Sequence, residues 1–138
     1  MRLPALLLVL SVFVTSCISS EKNTDNMPSY QNLVEVVPPD SNQKESKVYI
    51  DSVEIVSHKN AKAFLIQGSF PDGCTKLKSA SHNMSEGTFF ISLKAWRNPD
   101  SMCTQALTPF SFIYDKVAQE NISGLSSVDV NGKSYSVQ

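Results

Sequence analysis

The chain has 138 residues, with 12 basic and 13 acidic side chains and a formal net charge of −1. Binding of nucleic acid needs a basic surface, so this charge balance argues against such a partner. Apolar residues make up 41% of the chain. That content is enough to form the core of one small domain once the segments that do not fold are set aside.

The first residues have the pattern of an export signal. Arg2 precedes an apolar run of 12 residues, Leu3 to Val14. A helix needs about 20 apolar residues to cross a bilayer, so this run is too short to span one and is typical of a signal peptide.

The apolar run ends in the sequence VTSC at positions 14–17, which resembles the lipobox of bacterial lipoproteins. In that family the cysteine receives a diacylglyceryl group, with palmitate among the acyl chains, and signal peptidase II cuts just before it. The resemblance implies a signal peptide over 1–16 and a lipid on Cys17 that anchors the protein in the cell envelope. The alternative is an ordinary secretory signal with an incidental cysteine. Ile18 stands where an aspartate retains family members at the inner membrane, which favours the outer membrane in a host with two.

The two remaining cysteines are expected to form a disulfide bond. Cys74 and Cys103 are left as a pair once lipid occupies Cys17, and exported proteins fold where disulfides persist. Closing a segment of about 30 residues stabilises a fold by about 3–4 kcal/mol. Redox catalysis and metal binding are weaker alternatives, because there is no Cys-x-x-Cys motif and no histidine beside either cysteine.

Residues 17–46 are predicted to be the lipidated cysteine followed by a flexible linker. The segment is rich in Ser, Asn, Gln, Lys, Glu and Pro, and includes Pro38 and Pro39. Only Leu33–Val37 is mainly apolar, and this short run could instead be an additional first strand or a docking segment. A flexible chain of this length reaches about 30 Å, which would lift a domain off the membrane surface.

Residues 47–138 show short runs with β-type alternation. The clearest runs from Thr88 to Arg97, with Phe89, Ile91, Leu93 and Ala95 on one face, and Asn131-Gly132 has the residues of a type I′ hairpin turn. About seven strands in this length predict an antiparallel immunoglobulin-like β-sandwich, with an open barrel as the alternative. The predicted strands cover 48–56 (bulged near 51–52), 63–70, 74–80, 88–97, 110–117, 127–130 and 133–137.

Two turns of this region resemble those of small, uncharacterised bacterial envelope lipoproteins. The sequence GSFPDGCTKL spans 68–77, CTQALTPF spans 103–110, and VNG at 130–132 completes the pattern. That group carries a G-x-x-P-D-G-C-T turn and a C-T-x-x-L-x-P-F turn. The resemblance covers about 47–138; it implies a sandwich with a disulfide and implies no activity.

The sequence contains no recognisable catalytic or metal-binding motif, so no enzyme activity, cofactor or metal is expected. His58 and His82, the two histidines, are 24 residues apart in separate predicted turns. An enzyme or metal carrier that depends on them is the weakest of three hypotheses. Trp96 and Phe90 lie opposite the predicted core face, and either form an exposed aromatic patch or, as we favour, Trp96 is buried against the disulfide.

The leading hypothesis is a non-enzymatic binding module, anchored to the membrane by lipid, whose partner is an envelope protein or a glycan. The alternative is an inhibitor or protector against an extracellular or periplasmic hydrolase, since a loop fixed by a disulfide loses little entropy on binding. The candidate binding residues lie in two loops and on one strand: Pro71, Asp72, Gly73, Asn98, Pro99 and Trp96.

Overall fold

A computed structural model of the protein describes residues 24–39 and 42–137. The predicted signal peptide, its cleavage site and Cys17 lie outside the described residues. Within the described part of the chain, no helix has both the length and the apolar character needed to cross a bilayer.

The protein is a β-sandwich with one short helix, which confirms the predicted fold class. The strand Thr88–Arg97 has the predicted bounds, and an additional short strand brings the number to eight in the described residues. The elements are α1 (Tyr30–Leu33), β1 (Lys44–Ser46), β2 (Tyr49–His58), β3 (Ala61–Phe70), β4 (Lys76–Ser85), β5 (Thr88–Arg97), β6 (Thr108–Tyr114), β7 (Ser127–Val130) and β8 (Lys133–Ser136).

The strands form two sheets. One contains β2, β3 and β6 in that order, and the other is built around β5. β4 pairs along one edge of β5, while β1 and β7 share its other edge and β8 lies outside β7. All strand pairs are antiparallel except β5 and β7, which are parallel. β6 ends beside Phe64, and Phe64 packs against Phe89 near the start of β5. The chain therefore leaves β6 at the end of the sandwich where β5 begins, and β7 runs from that end in the same direction as β5.

The core lies between the two sheets and contains the faces that alternation predicts. Phe64 and Ile66 of β3 belong to the same core cluster as Phe89 and Ile91 of β5, and the ring centroids of Phe64 and Phe89 are 5.3 Å apart. The predicted irregularity in β2 is present as a register shift between residues 50 and 52. The predicted Asn-Gly hairpin is also present, and both of its residues have positive φ angles.

The segment predicted to be a flexible linker differs from that expectation where the structure describes it. Tyr30 is 6% exposed and belongs to the main core. Met27 packs on a second cluster, which occupies the outer face of the β2-β3-β6 sheet and includes Leu65 and Ile113. The physical reason is visible in residues 63–66, an uninterrupted apolar run that needs cover on both faces of the sheet.

The same segment continues across the edge of the second sheet. Val34 forms a bridge with Leu77 of β4, and the backbone N–H of Glu35 donates to the carbonyl of Leu77 at 3.0 Å. Trp96 is 7% exposed, and its indole N–H donates to the carbonyl of Glu35 at 3.4 Å. Trp96 is therefore buried, and part of its cover comes from the predicted linker; its packing against the disulfide stays a prediction.

Candidate functional site at the disulfide end

The predicted disulfide is present and ties two loops together. Cys74 and Cys103 are bonded, with their Cα atoms 5.4 Å apart. The bond links the turn before β4 to residues 98–107, which connect β5 to β6 and are called here the disulfide loop. A backbone hydrogen bond of 3.1 Å from Gly73 N–H to the carbonyl of Thr104 adds a second tie.

Asp72, predicted to be a binding residue, is instead the centre of a buried hydrogen-bond network. Its side chain is 3% exposed. One carboxylate oxygen accepts bonds from the N–H groups of Cys74 and Thr75, at 2.9 and 2.8 Å, and from the Thr75 hydroxyl at 2.9 Å. The other oxygen accepts a bond of 2.7 Å from Arg97. Both oxygens are therefore engaged, one within the turn and the other with the last residue of β5.

The network also sets the ionisation of Asp72. Burial by itself raises the pKa of this carboxyl group, but the hydrogen bonds from Thr75 and Cys74 and the positive charge of Arg97 outweigh burial. The net pKa lies below the ordinary value of 3.8. Asp72 is thus ionised at neutral pH, as a charge-assisted network with Arg97 requires.

The glycines of the G-x-x-P-D-G-C-T turn are needed for close contacts. A Cβ atom added at Gly73 would lie 2.4 Å from the Thr104 hydroxyl oxygen, and one added at Gly68 would lie 2.1 Å from the carbonyl oxygen of Tyr49. Together with the hydrogen bonds of Asp72, these close contacts give the turn motif a structural role. The sequence could have indicated this role of Asp72, because an aspartate in a turn often accepts hydrogen bonds from the backbone N–H groups of the residues two and three positions later.

Of the other candidate residues, two line a groove at the surface, and two are turned inward or buried. Pro71 and Pro99 line one groove of about 300 Å³ with Arg97 and residues 44–47. Asn98 turns its side chain back into the loop, where it accepts a bond of 2.9 Å from the N–H of Asp100. Trp96 is largely buried on the adjacent strand. The predicted loops are therefore close together, but Asp72 and Trp96 present no free surface there.

The disulfide loop exposes two large apolar side chains among its polar ones. Met102 is 100% exposed and Leu107 is 63% exposed. Leu107 was not among the predicted binding residues. The sequence could have indicated Leu107, because it is a large apolar residue in a connection that has no strand alternation and therefore no predicted place in the core.

The two histidines have separate structural surroundings. His58 is 4% exposed, with Nδ1 3.3 Å from the carbonyl oxygen of Thr24. His82 stacks on Phe89 and shares a hydrogen bond of 2.7 Å with the hydroxyl of Tyr114, whose pKa is raised to about 12, chiefly by burial. Across the described residues, no group of three or more His, Cys, Asp and Glu side chains could hold a metal ion.

A second concave surface lies on the outer face of the sheet that contains β5. Phe90 is 36% exposed there, beside a groove of about 460 Å³. Only this half of the aromatic pair considered from the sequence remains at the surface, because Trp96 is covered. Small polar side chains surround Phe90 in the groove, among them Ser81, Asn83, Ser92, Asp129 and Asn131.

One comparison with known proteins gives a match. A family model described as the ORF11 beta-sandwich domain matches residues 64–138, just over half of the chain. The matched range begins within β3 and includes both cysteines of the disulfide and the whole disulfide loop. No curated protein and no solved structure matches the chain.

Proposed function

The chain belongs to the ORF11 beta-sandwich domain family, and from this premise we propose that it is a lipid-anchored envelope protein whose disulfide loop binds a protein partner. The observation that carries the proposal is the exposure of Met102 and Leu107 on a loop that is tied at Cys103 and Thr104. Exposed apolar side chains are typical of protein-binding surfaces. A loop that is already held in place loses little conformational entropy when a partner covers it.

Attachment to the membrane is supported by the sequence VTSC at 14–17. Replacement of the lipidated cysteine, Cys17→Ser, is expected to move the protein from the membrane fraction to the soluble fraction. Membrane retention of this variant would contradict lipid anchoring.

Binding by the disulfide loop is tested with the full-length protein in its native host. A photo-crosslinking amino acid at Gln105, which is exposed in the same loop, is expected to give a discrete adduct with one envelope protein. The double variant Met102→Ser/Leu107→Ser should lose that adduct. The matched control is Val36→Ser/Met84→Ser, which removes apolar side chains that are 85% and 48% exposed elsewhere. An adduct that survives in both double variants would contradict the proposal.

A second candidate function, inhibition of a hydrolase, is favoured by the position of Met102. This side chain projects directly before the bonded Cys103, so the loop could enter an active-site cleft in the manner of a substrate while its base stays fixed. The purified protein should then slow at least one enzyme in a panel of proteases and lysozymes, and Met102→Asp should abolish the effect. Unchanged rates across the panel would exclude this function.

A further inference from the structure

The described residues begin at Thr24, called here the entry point, seven positions after the predicted lipid site in the sequence. Thr24, the first described residue, is fully buried. Its hydroxyl donates to the carbonyl of Ser57 at 2.8 Å, and its own carbonyl lies 3.3 Å from Nδ1 of His58. Four residues later, the carbonyl of Pro28 accepts a bond of 2.9 Å from the N–H of Ile113. Residues 24–28 are therefore held on the outer face of the β2-β3-β6 sheet.

This entry point lies at one end of the sandwich, and the disulfide lies at the other. Ser57 and His58 are the last residues of β2, next to the turn that leads into β3. β3 then runs for 10 residues to Phe70, directly before the turn that contains Cys74. A strand of that length spans about 33 Å. The two ends of the sandwich are separated by that distance.

Few residues separate the entry point from the predicted lipid. Cys17 and Thr24 are seven positions apart, and seven residues span at most about 25 Å when fully extended. This upper limit holds for any conformation of the chain between them. It is shorter than the length of β3, which favours an orientation with the β2–β3 turn closer to the bilayer than the disulfide end.

The β2–β3 turn also has the charge that suits a phospholipid surface. Residues 55–67 include Lys59 and Lys62, both exposed, and no acidic residue. The acidic residues at the same end are Asp25 of the covering segment, Glu86 of the β4–β5 turn and Asp115 directly after β6. Anionic phospholipid surfaces attract nearby lysines, and the lysines here are next to the point where the anchored chain enters.

From the length of the connecting chain and these charges we infer that the β2–β3 turn is the membrane-facing surface of the sandwich and contacts anionic phospholipid headgroups through Lys59 and Lys62. The inference rests on the proposed lipid anchor at Cys17. It directs the disulfide loop away from the bilayer, so that the proposed partner is met about one strand length from the anchored end of the sandwich. This orientation replaces the long flexible reach that the sequence suggested.

The orientation is tested with the full-length lipidated protein in liposomes that contain phosphatidylglycerol and a headgroup-labelled quenching lipid. A fluorophore is attached through Lys62→Cys or, as the matched control, through Lys47→Cys. Lys47 is also an exposed lysine, but it lines the groove at the disulfide end with Pro71 and Pro99. Quenching is expected to be several-fold stronger at position 62 than at position 47.

The outcomes separate this inference from the proposal on which it rests. Equal quenching at the two positions, or stronger quenching at 47, in protein that sediments with the liposomes would overturn the orientation and leave the anchor intact. Protein that fails to sediment with the liposomes would overturn the anchor and the orientation together. Stronger quenching at 62 that disappears with Cys17→Ser supports both.

Discussion

At the scale of single residues, Asp72 shows how a polar residue in a loop can belong to the fold. A buried carboxylate is tolerated only when its oxygens are satisfied, and here three groups of Cys74 and Thr75 and the guanidinium of Arg97 satisfy them. Arg97 ends β5 and Thr75 precedes β4. The network therefore fixes the position of the Pro71–Gly73 turn against the sheet from which the disulfide loop departs.

Asp72→Asn is expected to lower the free energy of unfolding by about 1.5–3 kcal/mol, the usual contribution of a hydrogen bond to a charged group. The amide cannot accept at both positions and carries no charge for Arg97. Urea unfolding measures the loss. Asp100→Asn is the control, since Asp100 is exposed in the disulfide loop and a surface change should stay within about 0.5 kcal/mol. Equal effects of the two changes would count against the network.

The lowered pKa of Asp72 also predicts how stability depends on pH. The folded state favours the ionised form, so the stabilisation is fully present above the ordinary pKa of 3.8 and is lost as the pH falls below that value through the folded pKa. The unfolding free energy of the parent protein should decline in this acid range more steeply than that of Asp72→Asn. Parallel pH profiles would show that Asp72 makes no such contribution.

At the scale of elements, Asn131 joins the β7–β8 hairpin to β5. Its side-chain oxygen accepts a bond of 2.8 Å from the N–H of Leu93, and its amide nitrogen donates to the carbonyl of Leu93 at 3.1 Å. Its own N–H donates to the carbonyl of Ile91 at 3.0 Å. The side chain thus continues the parallel pairing of β7 with β5 beyond the point where β7 turns away.

Asn131→Gly keeps the positive φ angle of the turn but removes both side-chain hydrogen bonds to Leu93. We expect a loss of about 1–3 kcal/mol in unfolding free energy, because two backbone groups of a sheet strand lose their partners. Asn131→Asp retains the acceptor and loses the donor, so its loss should be smaller. Thermal or urea unfolding of the three proteins tests the order, and a glycine variant as stable as the parent would refute it.

The N-terminal segment contributes one side chain, that of Tyr30, to the main core of the sandwich. Its ring packs edge-on against Tyr114 with the ring centroids 5.3 Å apart. Tyr30→Ala should cost about 3 kcal/mol, as for other large aromatic residues removed from a core. Tyr49→Ala is the matched control, because Tyr49 is 44% exposed and should cost clearly less. Similar losses in urea unfolding would mean that the segment contributes little.

At the scale of the whole molecule, the N-terminal segment and the disulfide stabilise different parts of the sandwich. The segment covers the outer face of the β2-β3-β6 sheet and continues across the β4 edge of the other sheet. The disulfide links two loops at one end of the sandwich, across a sequence separation of 29 residues. A chain cut down to residues 47–138 would expose Leu65 and Ile113, so experiments on the fold should keep the residues from Thr24 onward.

The double variant Cys74→Ala/Cys103→Ala is expected to be less stable by about 3–4 kcal/mol, the loop-entropy value for a closure of this length. A reductant should lower the melting temperature of the parent protein and leave that of the variant unchanged. Scanning calorimetry with and without reductant makes the comparison. A parent protein that is insensitive to reductant would contradict a stabilising bond.

The sequence by itself determined the features that depend on neighbouring residues. Alternation placed β5 at Thr88–Arg97, Asn131-Gly132 located the hairpin, and the count of cysteines identified the disulfide pair. The predictions of the strand and the hairpin are correct because side chains alternate across a strand and a tight turn needs particular φ angles. Both properties are independent of the rest of the chain.

Only the tertiary structure decided the parallel pairing of β5 with β7, the packing of residues 24–35 on the sandwich and the structural role of Asp72. Each depends on contacts between residues far apart in the chain. Trp96 meets Glu35 across 61 positions, and Asp72 meets Arg97 across 25. A polar segment with few apolar residues is flexible alone, but it becomes ordered when a sheet presents an apolar face that water would otherwise cover.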